Sequence, residues 1–525
     1  MKNNAVNSGD TVTISRAEYE QFLKLKEENE QLSKLNDWFL QQLTLAKQKK
    51  YGSTSEKADD AIYEQLSLLA DEPEMIEYLE SIRKKETVIV ASHTRTRKTG
   101  AIDDVVPDDV PVEVEEHRPD DIICSVCGAE MTEIGKEVKR TLKIIPAQVV
   151  VHEDWYFTYA CKSCEEENCT TQIRKTPRDV SVLPGSYASP EAIAYIMTQK
   201  YVMGCPLYRQ ESDFNRRNIR LSRQTMSNWL LESTERWLEP VYNELHRKLL
   251  EEDIIHADET ELQVLREPGK AAQSTSYMWL YRTGKYAEHP IVLYEYQAGR
   301  GGDYAMEFLK GFSGYLQTDG YSGYNKVTDV THVGCMAHLR RKFDDVIKSQ
   351  PKGSKSPLAA KAEAYCSKIF KIEEDLANLS SEERFEQRKI LVKPIMDEFE
   401  KFMEGKNAGS KSKLGQAITY YNNQWSTISN FMLDGRLEVS NNLAERSIKP
   451  FVTGRKNFLF ANTPKGAKGT AIMFSIIETA KDNHLDPYRY ITYLLTKAPS
   501  LDQNIENWVE SLLPENAPDS CRIPK

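Results

Sequence analysis

Between residues 16 and 46 the apolar positions repeat by sevens. Leu25, Leu32, Phe39 and Ala46 form one row, and Phe22, Asn29, Asn36 and Leu43 form its companion. That pattern predicts a short coiled coil, with Asn at two core positions restricting register and partner number. KKYGSTSEK breaks the helix, and a second helical stretch closes an N-terminal helical region over 14–85. Residues 86–121 are polar, acidic and Pro-containing, the texture of a linker. Within 122–180, TLKIIPAQVVVHEDWYFTYA is rich in β-branched and aromatic residues and predicts a β-ribbon. Residues 187–250 are helical: SPEAIAYIMTQKYVMG, then PLYRQESDFNRRN, then SRQTMSNWLLESTERWLEP with Ser222 as its N-cap. From Asp253 the apolar runs shorten to DIIHADETEL, YMWLYRTG and PIVLYEYQ, followed by a helix in DYAMEFLKGF, then GYLQTDGY and THVGCMAHLRRKF. Three strands, a helix, two strands and a helix are predicted in that order. Residues 355–433 are charged and helical, 440–498 are helical again, and 481–525 form a C-terminal helical tail. The expectation is a multidomain α+β chain.

Composition refines this. With 525 residues, 40% of them hydrophobic and 28% charged, the chain can build several cores. A net charge of −10 argues on average against nucleic acid. The average conceals a division, however: 101–130 is crowded with acids, whereas 437–470 holds six basic residues against two acidic ones. A DNA-contacting surface fits the second region. The opening MKNNAVNSGD has no apolar core and no run approaches a membrane span, so a cytoplasmic protein is expected. In that reducing compartment nine cysteines do not read as a disulfide framework.

Four of them form two C-x-x-C pairs, Cys124/Cys127 and Cys161/Cys164, one at each end of the β-ribbon. Two such knuckles match a closed, structural Zn²⁺ site, with Cys169 as a substitute ligand and four buried free thiols as the plain alternative. Residues 206–232 read as two helices joined by a short turn. The second presents Arg223, Gln224, Thr225 and Asn228 near its start, either as a recognition helix for a major groove or as half of a plain hairpin packed through Met226, Trp229 and Leu230. Asp258 and Asp319 each read as ending a predicted strand. If those strands lie side by side the two carboxylates meet, and a divalent cation would relieve their repulsion. Glu445 is a third acid, set in LEVSNNLAERSIKPF, where Asn441, Asn442, Arg446 and Lys449 could hold phosphates or orient the carboxylate. Two aspartates and a glutamate suffice for Mg²⁺, the chemistry of phosphodiester cleavage. Against this stand Glu259, a rival beside Asp258, and the use of Asp before Gly in TDGY as a simple turn former.

The strings HADET, TDGYSGYN, CMAHLRRKF and NNLAERSIKPFVTGRKNFLF, in this order, resemble the insertion-sequence-66 family of bacterial transposases. So do the N-terminal helix with YGSTSEK, the paired cysteines, PLYRQ and the tail GAKGTAIMFSIIETAKDNHLDPYRYITYLL. The resemblance implies a DDE transposase with a ribonuclease-H-like catalytic domain over 251–480, interrupted by a helical insertion at 355–433. It assigns Asp258, Asp319 and Glu445 to the acidic triad that binds Mg²⁺ or Mn²⁺. Cys335 and His338 take a supporting role as the C-x-x-H after the second Asp. Arg340, Arg341, Lys342, Arg455 and Lys456, in the same strings, join Asn441, Arg446 and Lys449 as expected DNA contacts. The chain has Tyr51-Gly52 where the family usually has Phe-Gly. Expected partners are double-stranded DNA (element ends and target), a second copy or a higher multimer, and small accessory proteins of the same element. Two other readings remain at this point: a metal-dependent nuclease without strand transfer, and a non-catalytic zinc-containing DNA-binding regulator.

Overall fold

The computed structural model describes residue 114 and residues 147–160, 173–350 and 356–524. The heptad rows, almost all of the acidic linker, and Cys124, Cys127, Cys161, Cys164 and Cys169 lie outside the described residues. The chain divides into two compact units, Met1–Val151 and His152–Lys525. Of the first, residues 147–151 are exposed and without regular structure; the elements below belong to the second.

Strands β1 (Thr158–Ala160) and β2 (Ile173–Lys175) pair antiparallel, Thr158 opposite Lys175. Helix α1 (Pro190–Tyr201) starts where Ser189 accepts the Ala192 N–H, with Pro190 at its first position. Helices α2 (Leu207–Arg216) and α3 (Arg223–Ser233) form the paired helices read from the sequence, and Ser222 caps α3 by accepting the Thr225 N–H. Met226, Trp229 and Leu230 bury one face of α3. A π-helical turn at Thr234–Leu238 carries the chain into α4 (Glu239–Leu249).

The central sheet contains β3 (Ile254–Gln263), β4 (Thr275–Thr283), β5 (Val292–Gln297), β6 (Tyr315–Gln317) and β7 (Thr331–Val333), in spatial order β5-β4-β3-β6-β7. The first three strands are antiparallel neighbours, while β6 and β7 run parallel to β3. Helix α5 (Gly302–Phe308) joins β5 to β6, and α6 (Met336–Lys348) follows β7. Met278, Trp279, Leu280 and Tyr281 are all fully buried, as a central strand covered on both faces requires. At the start of β6 the backbone approaches β3 so closely that a Cβ on Gly314 would lie 2.2 Å from the Asp253 carbonyl oxygen.

Between β7 and the last helices stand α7 (Pro357–Asp375), α8 (Ser381–Leu391), α9 (Lys393–Met403) and α10 (Lys413–Ser429). With α6 they enclose a second core, built on Leu339, Phe343, Ile369, Phe399 and Trp425. Buried Arg388 of α8 uses all five of its N–H donors. It pairs with Glu373 at 2.8 and 2.7 Å and donates to the carbonyls of Phe431, Asp434 and Leu437 at 2.8, 2.8 and 2.7 Å. The final helices are α11 (Asn442–Phe458), α12 (Pro464–Asp482) and α13 (Pro487–Lys497). Helix α12 covers the outer edge of β5: the Ser475 hydroxyl accepts the Tyr294 N–H, and the Thr479 hydroxyl accepts the Val292 N–H and donates to its carbonyl. An otherwise open strand edge is thereby satisfied.

Glu295 of β5 is half-buried beside Tyr242 and Tyr281, and that burial pushes its carboxyl up to about 7. Its folded pKa exceeds its unfolded one, so the folded chain holds the proton more tightly. Stability is therefore full below about pH 4.5 and falls as pH rises toward 7. Glu295→Gln is expected to remove that slope, worth on the order of 3 kcal/mol. Urea unfolding at pH 5 and pH 8 measures it, and parallel slopes in both proteins would refute it.

Candidate active site

Register decides which acid of HADET faces which helix. Asp258 lies opposite Leu280 of β4, and Glu259 opposite Trp279. Residues paired in this way share a face of the sheet. The Leu280 face carries Tyr294, whose ring packs with Phe451 of α11 and Phe474 of α12. Asp258 is therefore on the α11 side. The Trp279 face carries Tyr324, and there Glu259 accepts from Tyr324 Oη at 2.7 Å and from Arg300 Nε at 2.9 Å. Glu259 is thus paired with a cation and a phenol.

The sequence reading set Asp258 at a strand end; the structure puts it in mid-strand. β3 runs on along β4 to Gln263, but its parallel pairing with β6 stops at His256. HADETEL reads as a turn because four polar residues, Asp258 to Glu261, run together past the buried half of the strand. Asp319 follows β6 by two residues, and Asp258 likewise lies two residues past the last β3–β6 pair, His256 opposite Gln317. Asp319 also performs the turn role of TDGY: one carboxylate oxygen accepts the Tyr321 N–H at 2.9 Å, and Gly320 adopts φ +93°. Two residues of α10 hold this turn from outside the sheet. Tyr420 donates to the Asp319 carbonyl at 2.8 Å, and Gln424 approaches the Gly320 carbonyl at 3.5 Å. No local sequence signal marks them, because the contacts span the whole insertion.

Glu445 sits in the first turn of α11, where the helix dipole favours an acid. Asn441 fixes that helix to β3. Its side-chain amide donates to the Ala257 carbonyl at 2.8 Å, its oxygen meets His256 Nδ1 at 3.0 Å, and its backbone N–H points at Cys335 Sγ at 3.2 Å. Asn441 is completely buried, which corrects its assignment as a DNA contact: it is a bracket between helix and strand. The helix-start pair NN looks solvent-facing in sequence, and only the sheet behind it shows otherwise. Burial lowers the His256 pKa to about 4, so the ring is neutral and can share one hydrogen bond with the amide. Asn441→Ala is expected to cost about 1–3 kcal/mol by leaving the Ala257 carbonyl unpaired and to slow any chemistry at Glu445. Thermal unfolding beside a cleavage assay separates the two effects.

These acids act on one another electrostatically. Asp258 is pushed up to about 8, first by burial and then by the negative charges of Glu259, Asp319 and, more weakly, Glu445. His338, in the first turn of α6, has Nδ1 3.7 Å from Glu445 Oε1, and Arg341 Nη2 lies 3.6 Å from Glu445 Oε2. Glu445 Oε1 and His338 Nδ1 are both buried without a hydrogen-bond partner. An orphaned carboxylate oxygen and an acid destabilised by like charges both suit a bound cation. The Met336 N–H bonds to the Val439 carbonyl at 3.0 Å, so the N-termini of α6 and α11 open side by side. Arg446, Lys449 and Lys456 are exposed on α11 and Arg455 is half-buried. Arg341 and Lys342 are exposed on α6, where Arg340 is half-buried with its guanidinium over Phe370. On α3, Arg223, Gln224 and Asn228 are exposed and Thr225 is half-buried, with Gln224 donating to Asn228 at 2.8 Å.

Comparison with known proteins shows the family. A family model described as "Transposase IS66 family" matches residues 185–469, more than half of the chain. "Zinc-finger binding domain of transposase IS66" matches 121–165, which supports a structural Zn²⁺ at the paired cysteines, and "IS66 C-terminal element" matches 475–514. Two similar proteins of Sinorhizobium fredii (strain NBRC 101917 / NGR234) are uncharacterized protein y4jD and uncharacterized protein y4hP. The first is 30% identical over 76% of this chain and 79% of that protein. The second is 28% identical over 83% and 80%. No solved structure matches the chain significantly. Among the described residues no helix is long and apolar enough to cross a membrane. The chain belongs to the IS66 family of transposases.

Proposed function

We propose that this protein is the DDE transposase of a bacterial insertion sequence, which cleaves DNA at the element's ends and joins the freed 3′ ends to target DNA. The observation that carries the reading is the position of Asp258 and Asp319 on adjacent parallel strands, each two residues past their last pair, with Glu445 on the helix bracketed to the first of them. The sheet order β5-β4-β3-β6-β7, with three antiparallel strands followed by two parallel ones, supports a ribonuclease-H-like core. Asp258, Asp319 and Glu445 would hold Mg²⁺ or Mn²⁺. The bound cations supply activation of the attacking oxygen and stabilisation of the leaving one.

The chain's own residues do the rest. In hydrolysis a water oxygen bonds to phosphorus, and the 3′ oxygen leaves and takes a proton. In transfer that 3′-hydroxyl attacks a target phosphodiester and displaces its 3′ oxygen. Arg446, Lys449, Lys456, Arg341 and Lys342 line the approach with positive charge, and affinity for DNA should fall steeply with salt. Residues Arg223, Gln224 and Asn228 at the start of α3 are placed to meet bases or phosphates, with the zinc module as a second DNA contact. The N-terminal heptads join copies so that two ends are cut together. The test is Mg²⁺-dependent cleavage of a labelled duplex carrying the element's end, followed by strand transfer from precut ends. Cleavage without transfer would reduce the protein to a nuclease. Binding without either would make it a regulator.

A further inference from the structure

The orphaned atoms at the base of the cleft have a third neighbour. A ligand atom from each of Cys335, His338 and Glu445 lies within 4.8 Å of the others. Two of these groups, His338 Nδ1 and Glu445 Oε1, face each other at 3.7 Å without a hydrogen bond. The third, Cys335, is completely buried at the N-cap of α6. Its sulfur receives the Asn441 N–H at 3.2 Å. Burial pushes the Cys335 thiol up to about 11, and the Asn441 N–H works against that rise.

We propose that Cys335, His338 and Glu445 form a binding site for a borderline-soft divalent cation of the Zn²⁺ class, and that this site shares Glu445 with the carboxylate triad. Thiolate, imidazole and carboxylate make up a zinc donor set, with a fourth place left for water. Mg²⁺ takes oxygen ligands and would leave the sulfur unused. Bonds of about 2.0–2.3 Å in a tetrahedron set donors about 3.5 Å apart, so closing the site needs about an ångström of side-chain movement. Binding sends the Cys335 thiol proton to solvent and requires His338 to carry its ring proton on Nε2. Arg341, whose Nη1 lies 3.3 Å from that nitrogen, is exposed and free to turn outward. One consequence rests on the triad reading of the preceding section: a Zn²⁺ ion here takes Glu445 from the cleavage site and stops the reaction.

Full-length protein reconstituted with one equivalent of Zn²⁺ for the paired cysteines is titrated with Co²⁺, whose thiolate complexes have a charge-transfer band in the near ultraviolet. Wild type is expected to bind one further Co²⁺ with that band. Cys335→Ser should lack the band, and His338→Gln, which leaves the buried sulfur untouched, should bind Co²⁺ at least roughly tenfold more weakly. Circular dichroism checks that both variants are folded. No band in wild type, or equal bands in wild type and Cys335→Ser, would overturn the site. In a second arm, Zn²⁺ is added to Mg²⁺-supported cleavage. It should inhibit wild type at the concentration that displaces Co²⁺ and inhibit Cys335→Ser, relative to its own Mg²⁺ rate, only at tenfold higher concentration or above. A cobalt band without inhibition would overturn the sharing of Glu445. Absence of any Mg²⁺-supported cleavage would fail the triad reading instead, while the cobalt arm still decides the metal site.

Discussion

Glu445→Gln is expected to cut a duplex carrying the element's end roughly a thousandfold more slowly than wild type, while binding that duplex with unchanged affinity. The substitution keeps the shape of the side chain and removes the charge that a cation needs. It also leaves the bracket intact, because α11 is held to β3 by Asn441 and not by Glu445. Asp258→Asn should behave alike. Glu259→Gln is the informative control. Glu259 faces the opposite side of the sheet and is held by Arg300 and Tyr324, so its loss should loosen the loop around Arg300 and spare most of the cleavage. Gel-shift affinity and single-turnover cleavage on the same proteins give the answer. Normal cutting by Asp258→Asn together with a dead Glu259→Gln would transfer the role to Glu259.

Arg388→Met should destabilise the folded chain by about 3–5 kcal/mol, the cost of leaving a buried charge without its partner. Here the stranded charge is Glu373, only 9% exposed, and three carbonyls lose their donor as well. Those carbonyls belong to the segment 431–437, which leads into α11. The effect should therefore reach Glu445: cleavage should fall even at temperatures where the protein stays folded. Adding Glu373→Gln should restore part of the stability, because it removes the stranded charge, but not the hold on the three carbonyls. Urea unfolding of both variants measures this. A loss below about 1 kcal/mol, the scale of an exposed pair, would mean that the buried pair relaxes into solvent.

The fold's order of elements was legible because each strand is an apolar run of its own, broken by turns such as TDGY. The paired helices of 206–232 were legible for the same reason, with Ser222 marking the second start. Asp258's place in mid-strand was not, because a strand paired on one side only carries polar residues that look like a turn. The burial of Asn441 was hidden too. An asparagine at a helix start is ordinarily a solvent-facing cap, and this one turns inward to a histidine and a carbonyl almost two hundred residues earlier. The same distance hid the cluster at Cys335. As C-x-x-H the motif shows two donors, and the third arrives on a helix beyond the whole insertion. Motif spacing reads local geometry well, whereas contacts that close across a sheet leave no spacing to read.

The position of the insertion has a consequence for the chain as it is made. Synthesis delivers Asp258 and Asp319 with the sheet, then the five helices α6 to α10, and only then Glu445. A nascent or prematurely ended chain that stops before Asn442 therefore carries two acids without the third and cannot assemble the triad. It also lacks α12, so the outer edge of β5 is left without the hydroxyls of Ser475 and Thr479. Such a fragment offers an open strand for pairing and should be drawn to other chains. On the proposed triad, incomplete copies would thus be harmless to DNA and readily cleared, and the ability to cut would arrive only with the last sixth of the protein.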